Sequence, residues 1–157
     1  MIIRHAELKD SEKIAETHRA SIKALCSGYY STEKIDGWID LLSPDIYENA
    51  IKEKAMILAQ EGDNIIGFGI LDIENLEIGA LYIHPDTKGT GTGKKLLQEL
   101  EDTARENDAD HLALCSTLNA FDFYFYNGYE GREKTFHILP NDIRLECIRM
   151  HKSLNGL

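Results

Sequence analysis

Apolar side chains recur at a helical spacing through the first third of the chain and at a strand spacing from Ala55 onward. A short apolar run at residues 2–5 predicts a first strand. Asp10 and Ser11 then stand as caps before Ile14, Ala15, His18, Ile22 and Leu25, which share one face of a helix ended by Gly28. Ser31 or Thr32 caps a second helix with Ile35, Trp38, Ile39 and Leu42 on one side, and Ser43-Pro44 starts a third. Residues 55–60 and 65–71 flank Gly62-Asp63-Asn64, a hairpin signal, and Asn75 turns the chain into another strand at 77–83. A glycine-rich loop leads into a helix at 93–106 that turns Leu96, Leu97, Leu100 and Ala104 inward. Residues 112–115 read as a short apolar strand and 120–127 as a short aromatic helix stopped by Gly128. A last hairpin, 129–138 with 143–151, turns at Pro140-Asn141-Asp142. The pattern predicts one α+β domain over residues 1–157, with no repeats and no linker.

A chain of 157 residues can bury one core. No stretch approaches the ~18 uninterrupted apolar residues of a membrane span. The opening Met1-Ile2-Ile3-Arg4-His5-Ala6-Glu7 is charged where a signal peptide needs an apolar segment. Cys26, Cys115 and Cys147 are odd in number and lack paired spacing, which predicts reduced thiols and a cytoplasmic protein. The histidines show no ligand spacing, so no metal is expected. A net charge of −10 argues against nucleic acid, whose phosphates need clustered Lys and Arg. Lys88, Lys94 and Lys95 reverse that sign locally, around Gly89, Gly91 and Gly93. Glycines that bare the backbone, just before a helix N-terminus, make a site for phosphate or pyrophosphate.

Spacing narrows the choice. A P-loop, G-x-x-x-x-G-K-[ST], would need glycine at Lys88 and a hydroxyl at Lys95. A dinucleotide fingerprint begun at Gly89 or Gly91 ends on Lys94 or Leu96 instead of glycine. What does fit is Lys88-Gly89-Thr90-Gly91-Thr92-Gly93, which resembles the [RQ]-x-x-G-x-G/A loop of the GNAT superfamily of N-acetyltransferases, with Lys88 in the Arg/Gln place. Leu81-Tyr82-Ile83-His84-Pro85 looks like the strand that enters this loop. Asn119-Ala120 and Phe123-Tyr124 through Gly128-Tyr129 match the family's later helix. Ile3-Arg4, Ala6, Asp10 and the Gly67-Phe68 strand are similar too, so the likeness covers most of residues 1–137.

The resemblance implies a three-layer α+β fold, with helices on both faces of a mixed, largely antiparallel sheet of about seven strands. It implies a splayed parallel pair, 77–83 and 112–116, that takes the pantetheine arm of acetyl-coenzyme A. Main-chain groups of Leu81 and Ile83 would pair with that arm, beside Tyr82 and Asn119, and N–H groups of residues 89–94 would hold the pyrophosphate. Tyr124 would protonate the departing thiolate, because a phenol with pKa ~10 keeps its proton at neutral pH. Glu77 stands where some family members carry a catalytic glutamate, with Glu74 a weaker candidate. His18 reads as a packed histidine, His84 as a loop residue and Cys115 as a buried apolar thiol.

The function implied is direct transfer of an acetyl group to an amine, and the alternative is a noncatalytic acyl-coenzyme A sensor. A phosphotransferase fails on the loop spacing. Residues 10–53 and the hairpin at Pro140 would wall the acceptor side, where Tyr29, Tyr30, Trp38, Glu33, Asp36 and Asp40 suggest an aromatic, acidic pocket for a small-molecule or peptide amine. Dimerisation is common in the family, but the sequence marks no interface.

Overall fold

Residues 55–83 form the antiparallel meander that their apolar runs and turn signals predict, and the rest of the sheet grows from it. The structure is a computed structural model and describes residues 1–155. Strands β1 (Ile2–His5), β2 (Ala55–Glu61), β3 (Asn64–Asp72), β4 (Glu77–Ile83), β5 (His111–Thr117), β6 (Glu130–Ile138) and β7 (Arg144–Ser153) join in one sheet of order β1-β2-β3-β4-β5-β7-β6. All neighbours are antiparallel except β4 and β5.

Helices α1 (Ser11–Ser21), α2 (Thr32–Ile39) and α3 (Glu48–Glu53) belong to one face, and α4 (Thr92–Glu106) and α5 (Phe121–Tyr126) to the other. The inward stripe of α4 is the one its spacing predicts: Leu96, Leu97, Leu100 and Ala104 are all buried. Each of its leucines removes enough apolar surface from water to contribute about 2 kcal/mol. Glycines in β3 let the helix approach. A Cβ on Gly67 would lie 2.9 Å from a Leu96 methyl, and one on Gly69 would lie 2.8 Å from a Leu100 methyl. Among the described residues no helix is long and apolar enough to cross a membrane.

Three local expectations change. The long first helix stops being α at Ser21, and residues Ile22–Cys26 make a π turn. Asp10 does not cap α1. Its carboxylate is taken by the Arg4 guanidinium at 2.8 and 2.9 Å and by the Glu7 N–H at 2.8 Å. Ser43-Pro44 begins a single 3₁₀ turn, Pro44–Tyr47, before α3. Ser31 does cap α2, accepting the Lys34 N–H at 3.3 Å.

Candidate active site

β4 and β5 run side by side in register only at Glu77–Ala113 and Ile78–Leu114, below which the Ala113 N–H reaches the Leu76 carbonyl at 3.0 Å. Beyond Ile78 the two strands part. Gly79 is skipped in the register between β3 and β4, which passes from Leu71–Ile78 to Ile70–Ala80. This β-bulge falls at the residue where the parallel neighbour is lost, and a bulge bends and twists its strand.

The direction of the main chain along the gap follows from one hydrogen bond. The His84 N–H donates to the Ile66 carbonyl at 2.8 Å and therefore points toward β3. Backbone polar groups alternate in direction along a strand, so those of Tyr82 also face β3. Those of Leu81 and Ile83 face the gap, where β5 no longer meets them. Both residues line a cavity of about 510 Å³ set between the strands.

The upper end of this cavity is the glycine loop. Gly89 and Gly91 adopt φ of +82° and +88°, which a side chain would strain. Gly91 is the N-cap of α4 and has no side chain to occupy the first-turn N–H groups, which stay free for an anion. Gly93 packs against Phe123, 3.4 Å from where its Cβ would be. Lys88 and Lys94 are the charged side chains on the lining among the described residues. Thr90 and Thr92 do not line the cavity. Their hydroxyls meet at 3.0 Å and Thr90 also donates to the Thr87 carbonyl at 2.5 Å, so they brace the loop.

Tyr124 reaches the cavity from α5, with its ring edge-on to Phe123 at 5.2 Å and to Tyr129 at 5.7 Å. Burial pushes its pKa above the usual phenol value, so it stays protonated. Asn119 lines the same wall, its Oδ1 accepting from the Cys26 thiol at 3.4 Å. Tyr82 lines the opposite wall, its ring held 4.3 Å from His18 and 5.7 Å from Phe68. Glu77 is not brought into the cavity. It lies at the closed end of the splay and, alternating with core-facing Ile78, looks to the face that carries α1.

The lining also holds residues that sequence reasoning assigned elsewhere. Ser21 and Leu25 join Tyr29 on the wall formed by α1 and its π turn. Leu25 was expected on the buried stripe, but the wide π turn rotates it toward the cavity. Spacing of four between 21, 25 and 29 is the one trace of this in the sequence. Glu33, Asp36 and Asp40 are absent from this lining and Trp38 is core, while Glu33 lines a second cavity of about 540 Å³ with Asp142 and Ile143 of the last hairpin. Cys115 is exposed rather than buried, with an Arg149 guanidinium nitrogen 3.6 Å from its sulfur. His18 is packed as expected.

The acetyltransferase (GNAT) domain model matches residues 26–138, well over half of the chain. The protein belongs to the GNAT family. A GCN5-related N-acetyltransferase from Rhodopseudomonas palustris is 25% identical, with a TM-score of 0.90 over 97% of this chain and 94% of that one. The PaiA N-acetyltransferase of Thermoplasma acidophilum, solved with coenzyme A, is 26% identical with a TM-score of 0.80, over 97% and 98% of the two chains. No curated protein matches the chain significantly. The GNAT model thus covers β4, the glycine loop, β5 and α5, which supply most of the cavity's lining, while Ser21 and Leu25 lie before it.

Proposed function

We propose that residues 1–157 form a single N-acetyltransferase domain that moves the acetyl group of acetyl-coenzyme A to an amine by direct attack in a ternary complex. The observation that carries this reading is the pair of unmatched main-chain edges at Leu81 and Ile83, facing a cavity that ends at the free N-terminus of α4. A slender amide-bearing arm fits such an edge as a strand would. N–H groups of Gly89 and residues 91–94, with Lys88 and Lys94, suit a pyrophosphate at its outer end, whereas the Thr90 N–H is taken by the Thr87 carbonyl at 3.2 Å. The PaiA relative, solved with coenzyme A, supports the same donor.

In this reading the C–N bond forms as the C–S bond breaks, and two protons must be handled. Tyr124 gives its proton to the leaving sulfur, which its burial keeps available. The acceptor ammonium must lose both: the first before attack, and the second from the new amide nitrogen, which replaces the proton Tyr124 gave up. For an alkylamine of pKa ~10.4, neutralisation at pH 7 costs about 5 kcal/mol. Glu77, on the α1 side just below the splay, takes that proton through water. Holding both substrates together supplies the rest of the acceleration.

The test is thiol release from acetyl-coenzyme A across a panel of amines, with the product identified by mass spectrometry. Tyr124→Phe should lower kcat about 100-fold or more while the KM for acetyl-coenzyme A stays constant. An unchanged kcat removes Tyr124 from the chemistry, and a Glu77→Gln variant with the parent pH profile removes Glu77. Tight coenzyme A binding without turnover on any amine would make the protein a sensor.

A further inference from the structure

The segment from Ile22 to Tyr30 crosses one side of the cavity and is fastened at two points. The π turn puts Leu25 and Tyr29 on the cavity wall and leaves Ile22, Cys26 and Tyr30 buried behind them. The Tyr30 hydroxyl donates to the Glu146 carbonyl of β7 at 2.5 Å and accepts the Leu118 N–H at 3.0 Å. The Cys26 thiol donates to Asn119 Oδ1 at 3.4 Å. Both fastenings land on the same 3₁₀ turn, Leu118–Ala120, which leads into α5.

We infer that Cys26 and Tyr30 are positioning residues, a two-point clasp that sets the Leu118–Ala120 turn and orients the Asn119 amide so that its NH₂ faces the bound coenzyme. The inference rests on the reading of the cavity as a coenzyme A site.

The turn has need of such a clasp. It has no side-chain cap of its own, and α5 is only six residues long. A helix that short does not hold itself, so contacts from outside fix where it begins. The amide orientation follows from donor count. The Cys26 S–H donates to Oδ1, and turning the Asn119 amide over would leave only a weak N–H···S contact in its place. Burial raises the Cys26 thiol to about 12 and the Tyr30 phenol to about 12, so both remain donors at neutral pH. With Oδ1 engaged, the Nδ2 donors are what Asn119 has left to offer a carbonyl in the cavity.

Calorimetric titration with coenzyme A tests the clasp without requiring turnover or a known acceptor. Tyr30→Phe and Cys26→Ala should each weaken binding about threefold to tenfold, the effect of losing the one hydrogen bond from Asn119 to the coenzyme. Cys26→Ser should restore binding, since a hydroxyl also donates. In an Asn119→Ala background Cys26→Ala should cause no further loss, because the thiol acts through that amide. Single variants that bind as the parent does, or a Cys26→Ala effect equal in both backgrounds, would overturn the clasp and leave the coenzyme reading standing. A parent protein that binds no coenzyme A refutes that reading, and the clasp falls with it.

Discussion

His18 makes the protein's stability depend on pH in a window that can be isolated. It lies on α1, 8% exposed, among Trp38, Tyr47, Phe68 and Tyr82. Nδ1 meets the Tyr47 hydroxyl at 2.9 Å, and Nε2 is buried without a partner. Burial, reinforced by the charge of Arg19, lowers its pKa from 6.5 to about 3. The unfolded chain therefore takes up a proton below pH 6.5 that the folded chain refuses until about pH 3. Stability is full above pH 6.5 and falls by ~1.4 kcal/mol per pH unit below it. Between pH 6.5 and 4.5 the loss is about 3 kcal/mol. The Asp10 carboxylate, held below its usual 3.8 by Arg4, stabilises the fold above that pH and does not enter the window. Urea unfolding followed by the fluorescence of Trp38, the single tryptophan and a buried one, reads the effect directly. A His18→Gln variant keeps a hydrogen-bonding group toward Tyr47 and cannot titrate. Its stability should change by about 3 kcal/mol less than the parent's across the window. Parallel pH curves for the two proteins would refute the argument.

Two further outcomes follow from packing. Glu101 of α4 is buried, accepts from the Tyr129 hydroxyl at 2.9 Å and meets Lys152 Nζ at 3.0 Å, while Lys152 also donates to the Asn127 carbonyl at 2.9 Å. Lys152→Met should destabilise by about 3 kcal/mol by stranding the carboxylate, and adding Glu101→Leu should recover part of it, measured by thermal melts. Gly67→Ala should cost about 1–3 kcal/mol, since its Cβ would also lie 3.1 Å from the Tyr82 carbonyl oxygen, and an unchanged melting temperature would show that α4 can yield.

Much of this was legible from residue pattern alone. The apolar runs on either side of Gly62-Asp63-Asn64 placed β2 and β3, which are buried on both faces, and the i, i+3, i+4 stripe of α4 placed its buried face, because burial on one side of a helix writes itself into spacing. The glycine loop was legible because only a bare backbone serves an anion there. What stayed hidden depends on neighbours distant in sequence. The bulge at Gly79 is a matter of register with β3, and the reach of β5 to Thr117 comes from pairing with β7. Asp10 looked like a cap but found Arg4, a stronger partner than a helix N–H. The π turn at Ile22–Cys26 leaves only the spacing of 21, 25 and 29 as a mark, and that spacing does not tell a cavity wall from a buried stripe.

The early parting of β4 and β5 gives the sheet two inward borders besides its outer ones at β1 and β6. An unpaired strand border normally invites another chain to add to it. Here Ser21 and Leu25 stand on one side and Phe123 and Tyr124 on the other, which narrows the access to these borders. The seven strands thus act as two panels, β1–β4 and β5–β7–β6, joined in the sheet by one short seam from Leu76 to Leu114. A protein built this way carries unpaired main-chain groups in the middle of its sheet instead of at its rim.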